Sequence, residues 1–207
     1  MLSYQIRWYQ YYSSLSSLPL CPLRPLWLIK KICSPNKISN GETVYSKSGG
    51  FCGDLDPELT AEGSMMAEQF ATTYAKLPWN AVYVSPMKRT IATATPLCDT
   101  VGIEMQLRDG LKEIKYGKWE GETVEYVREK YAEDYMNWLT EPAWNAPTEG
   151  ETSVQISSRA SLVIAEIQEK YKHGNVLVVS HKATIRIILC GLLGIDLGSY
   201  RNRIAAL

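Results

Sequence analysis

The run Val176-Leu177-Val178-Val179 has four consecutive apolar residues, of which three are β-branched. Continuous rather than alternating hydrophobicity predicts a strand buried on both faces, as in a parallel sheet. Immediately downstream the period changes. Ile185, Ile188, Leu189 and Leu192 recur at spacings of three and four, predicting a helix over residues 183–193 that Gly194 closes. His181 is thereby placed at the carboxyl end of a central strand and just ahead of a helix amino terminus. Open α/β sheets put ligands there, and exposed backbone N–H groups attract anions.

The same grammar recurs upstream. A loop rich in Gly, Asp and Pro over residues 49–59 leads to Thr60, a suitable N-cap, and Met66, Phe70, Tyr74 and Leu77 then form the apolar stripe of a helix that Pro78 ends. Ala81-Val82-Tyr83-Val84 is a second short strand, and Ser85-Pro86-Met87-Lys88-Arg89-Thr90 turns it into another helix. On spacing alone Arg89 is as readily a solvated surface charge as a functional one. Residues 105–109 form a third strand, and residues 111–121 a glycine-punctuated loop that holds Glu113 near aromatic residues. A lone loop acid such as Glu113 is more often solvated than a general acid. A helix is predicted over 123–139, an irregular, lid-like connection over 141–147, and a long helix after residues 150–152 that carries Ile156, Ala160, Val163, Ile167 and Tyr171. His173, in the last turn before Gly174, suits the helix dipole and needs no chemistry. Alternating strands and helices define an α/β domain spanning residues 39–207.

Residues 1–38 do not fit this pattern. Pro19, Pro22, Pro25 and Pro35 interrupt them, no period persists, and an irregular segment is expected. Five basic residues and no acid lie in residues 1–41, so the 22 cations of the chain leave 17 against 22 anions beyond them, a balance of about −5. That charge argues against a nucleic-acid partner. The acid-poor beginning is compatible with an organelle transit peptide, less so with a secretory signal, and also with a misassigned start. Five scattered cysteines without a C-x-x-C pair indicate neither a disulfide framework nor zinc and read as reduced thiols. No apolar run approaches the roughly 20 residues that span a bilayer, so a cytoplasmic protein without a membrane partner is expected.

Five motifs in order, Ser85-Pro86-Met87-Lys88-Arg89-Thr90, Leu111-Lys112-Glu113, Tyr116-Gly117-Lys118-Trp119-Glu120-Gly121, Gly150-Glu151-Thr152 and Val179-Ser180-His181-Lys182-Ala183-Thr184, resemble the histidine phosphatase (phosphoglycerate mutase-like) superfamily over residues 40–204. The resemblance implies a three-layer sandwich with a mostly parallel sheet and helices on both faces. It also implies phosphoryl transfer from a small phosphorylated metabolite through a phosphohistidine, with no metal and no cofactor. Arg89 and His181 would hold the phosphoryl group, and Glu113 would protonate the leaving oxygen. The family signature Arg-His-Gly-Glu-Thr is only half kept: Gly41-Glu42-Thr43 stands, but Ser39 takes the arginine position and Asn40 the nucleophile position. An amide has no basic nitrogen, so Asn40 can donate a hydrogen bond to phosphate but cannot form a phosphoenzyme. The strand that should precede the signature is also weak, because Ser34-Pro35-Asn36-Lys37 occupies its place, and the chain is short at its carboxyl end relative to the family. Two readings follow: an impaired phosphatase, with a mutase as a less favoured variant, and a phosphate-binding pseudoenzyme or defective product.

Overall fold

A computed structural model of the chain describes the backbone of residues 27–30 and the whole of residues 50–204. Ser39, Asn40 and Gly41 lie outside the described residues. So does most of the segment expected to be irregular, except that Trp27–Lys30 forms a strand, β1. The other strands are β2 (Trp79–Val84), β3 (Met105–Leu107) and β4 (Asn175–Val179), in the sheet order β1-β4-β2-β3. β4 and β2 are parallel, as are β2 and β3, while β1 pairs with β4 antiparallel, Trp27 opposite Val178 and Lys30 opposite Asn175. The far edge of β4 is therefore paired by Trp27–Lys30.

Side-chain alternation splits the core into two layers. Val82, Val84, Leu177 and Val179 face one side and meet Phe70 and Ala71 of α1 (Ala61–Tyr74) and Ala94, Leu97 and Cys98 of α2 (Lys88–Val101). Ala81, Tyr83, Val176 and Val178 face the other side and meet Val163, Ile164 and Ile167 of the long helix over Ser153–Lys170. Both faces of β4 are buried, as the unbroken apolar run demanded. The predicted α1 stripe is shifted. Gly63, Ala67, Phe70 and Ala71 turn inward, and Leu77 lies exposed beyond the helix end at Tyr74.

The helix predicted over 123–139 is two helices, α3 (Val124–Lys130) and α4 (Ala132–Thr140), parted at Tyr131 with φ −124° and ψ 41°. Arg128 and Lys130 end α3 while Glu133 and Asp134 open α4, each pair favourable to the dipole it faces. Val127 and Trp138, one from each, close an aromatic cluster with Phe51 and Trp119. The chain then runs through α5 (Ser153–Lys170), with a Thr152–Gln155 capping box, to α6 (Lys182–Leu193) and the short α7 (Tyr200–Arg203). Pro142 and Ala143 of the 141–147 connection are buried, whereas Trp144 stands 69% exposed. No described helix is long and apolar enough to cross a membrane.

Candidate active site

Because β2 and β4 are parallel, their carboxyl ends deliver Ser85 and His181 to the same edge of the sheet. The Ser85 N–H donates to the Val179 carbonyl at 2.9 Å and locks the two ends together. The His181 ring lies 1% exposed, with Nε2 2.8 Å from Ser85 Oγ. Arg89, in the first turn of α2, donates from Nε to His181 Nδ1 at 3.2 Å. An acceptor Nδ1 leaves the ring proton on Nε2, pointing at Ser85. Burial, reinforced by the positive charges of Arg89 and Arg159, holds the His181 pKa well below its usual 6.5. The ring is neutral at physiological pH.

Arg89 is 2% exposed and not a solvated surface charge. Its Nη1 donates to the Leu55 carbonyl at 2.7 Å and its Nη2 to the Gly53 carbonyl at 3.1 Å. Asp56 completes the wrap, its carboxylate accepting from the Lys88 N–H at 3.0 Å and lying 3.5 Å from Arg89 Nη1. With five N–H groups on a guanidinium, three so engaged leave one on each Nη. Gly53 belongs in this loop for a steric reason: its φ is +50° and a Cβ there would lie 2.3 Å from Glu120 Oε1.

Glu113 reaches the same edge from the loop after β3. One carboxylate oxygen accepts from the Ile114 N–H at 2.9 Å, and the pair face the Ala183 and Thr184 N–H groups at 3.4 Å. The amino terminus of α6, read as an anion address, is thus faced by the chain's own carboxylate. Ser180 Oγ and Thr184 Oγ1 each donate at 2.6 Å to the carbonyls of Leu111 and Lys112, stitching this loop to β4 and α6. Behind it Arg159 donates to the carbonyls of Gly110, Lys112 and Glu113 at 2.9, 2.8 and 3.0 Å and pairs with Glu151. Cys52 is half-buried beside Arg89 and Glu113, and burial raises its thiol pKa despite the arginine, so it is no ready nucleophile.

Arg89, His181 and Glu113 therefore converge, as the motifs led one to expect, while Ser39, Asn40 and Gly41 fall outside the described residues. Sequence reasoning did not single out Ser85, Arg159 or the Gly53 and Leu55 carbonyls as parts of the site.

The family described as the histidine phosphatase superfamily (branch 1) matches residues 40–206. The chain belongs to that superfamily. Among its histidine phosphatase relatives, phosphoserine phosphatase 1 of Hydrogenobacter thermophilus is 32% identical over 163 residues, covering 79% of this chain and 77% of that protein. The adenosylcobalamin/alpha-ribazole phosphatase of Escherichia coli is 28% identical over 169 residues, with 82% and 79% covered. The solved alpha-ribazole phosphatase from Shigella flexneri superposes with a TM-score of 0.73 at 26% identity, covering 79% of this chain and 81% of that one. The histidine phosphatase match begins at Asn40.

Proposed function

We propose that this chain binds small phosphomonoesters at the Arg89–His181–Glu113 site and that its hydrolytic turnover is crippled by Asn40. The buried contact between Arg89 and a neutral His181, beside a carboxylate at the α6 terminus, carries the reading. In this assignment the remaining Arg89 Nη2 N–H holds a phosphoryl oxygen, and the His181 Nε2–H and the second Nη1 N–H join it by exchanging their Ser85 and Asp56 contacts for the ligand. Glu113, when protonated, donates to the leaving oxygen as its bond to phosphorus breaks. The nucleophile for the covalent step should be a neutral imidazole nitrogen whose lone pair forms the new bond to phosphorus. Asn40 offers an amide whose nitrogen lone pair is delocalised into its carbonyl, so the phosphoenzyme cannot form and the later attack of water on it is lost. The relatives named above are phosphatases, which favours hydrolysis over transfer to a second acceptor as the ancestral reaction.

An assay with an aryl phosphate and with O-phosphoserine tests this. Loss of the nucleophile in another covalent hydrolase costs on the order of 10⁶ in turnover, and a comparable collapse to background is expected here. Turnover well above background that vanishes in His181→Ala would overturn the assignment of Asn40.

A further inference from the structure

The arginines around the site are not equally satisfied. Arg159 meets three carbonyls and the Glu151 carboxylate, and Arg89 meets two carbonyls, the His181 ring and Asp56. Arg186 is 9% exposed, yet its Nε has no hydrogen-bond partner among the described residues. A buried charged donor without an acceptor is costly, and folds retain such a group where something else supplies the acceptor. Its place is informative. Arg186 lies three residues after Ala183 on α6, hence on the same face as the N–H that looks at Glu113, and helical side chains lean back towards the amino terminus. Around it are Tyr200, which is 2% exposed, then Glu113 and Tyr116, with Arg201 beyond. The Glu113 oxygens face the N–H groups of Ile114, Ala183 and Thr184 rather than pairing with Arg186.

His181 precedes Arg186 by five residues, roughly 7 Å of helical rise. A ligand with its phosphoryl group at Arg89 and His181 can therefore present a second anion to Arg186 across a linker of a few atoms. The planar guanidinium fork matches a carboxylate in bidentate fashion. Resting on the phosphomonoester reading above, we propose that Arg186 is a specificity-determining residue that pairs with a carboxylate of the ligand, so that the preferred class is a phosphorylated amino or hydroxy acid.

Calorimetric titration of the full chain with inorganic phosphate, O-phosphoethanolamine and O-phospho-L-serine tests this, the last two differing only in the carboxylate. Phosphoserine should bind at least about tenfold more tightly than phosphoethanolamine, and Arg186→Met should erase most of that ratio by weakening phosphoserine alone. Equal binding of the two by the unaltered chain, or an undiminished ratio in Arg186→Met, overturns the proposal. Should that variant not fold, the Arg186 Nε–H resonance of the unaltered chain decides: it must shift with phosphoserine and stay put with phosphoethanolamine. Inorganic phosphate that binds without any carboxylate preference sinks this inference alone. Failure of inorganic phosphate and both esters to bind removes the phosphomonoester reading and this inference with it.

Discussion

A neutral His181 has a consequence for stability. The unfolded chain titrates this ring near 6.5, whereas burial beside Arg89 holds the folded value well below that. Above pH 6.5 neither state carries the proton and the ring contributes no pH dependence. Below that value the unfolded chain takes up a proton that the folded chain refuses, so stability falls as the pH drops. The slope approaches about 1.4 kcal/mol per pH unit until the folded pKa is reached. Denaturant unfolding at about pH 7.5 and about pH 5.5 measures it. The unaltered chain should lose about 1 kcal/mol more than His181→Gln between those conditions. An identical loss in both chains would mean that the folded ring already takes up a proton near pH 6.5, contrary to its accepting the Arg89 Nε–H at Nδ1.

Among the elements, the loop that carries Glu113 depends most on one distant side chain. Arg159 of α5 holds the carbonyls of Gly110, Lys112 and Glu113 and a half-buried Glu151, so Arg159→Met leaves several acceptors and a carboxylate without their partner. A loss of about 3 kcal/mol in denaturant unfolding is expected, and a loss below about 1 kcal/mol would show that water replaces the guanidinium freely. The sequence could not announce this role. A single arginine within an amphipathic helix reads the same whether it meets solvent or a loop folded over it, and the carbonyls of Gly53 and Leu55 that hold Arg89 carry no signal of residue type. Arg89, His181 and Glu113 were legible because they sit where strands end and motifs accumulate. The apolar run of β4 and the capping residue Thr60 were legible because burial and capping restrict residue type directly. The break at Tyr131 escaped because apolar spacing continues through it, and only the clustered charges on either side mark two helix ends.

For the whole molecule, the impairment proposed above has two possible seats, the side chains at residues 39 and 40 or the sheet beside them. The family resemblance calls for an apolar strand leading directly into residues 39 and 40, but the edge of β4 is taken by Trp27–Lys30 running antiparallel. An edge already paired cannot accept a second strand without releasing the first. The double change Ser39→Arg with Asn40→His supplies the missing chemistry without altering that pairing, and a misplacement of about 1 Å can cost roughly a hundredfold in rate. Its aryl phosphatase activity should stay within about tenfold of background. A second chain adds Val-Ile-Val-Ile in place of residues 34–37, together with Leu28→Pro to remove a backbone donor from β1. That chain can seat a strand next to β4 and carry the restored imidazole to the edge where Ser85, Arg89 and His181 already meet. It should exceed the double variant by about a hundredfold in kcat/KM. Equal and high activity in both chains would show that residues 39 and 40 stand in register with the site despite β1, and that the deficit lies in two side chains alone.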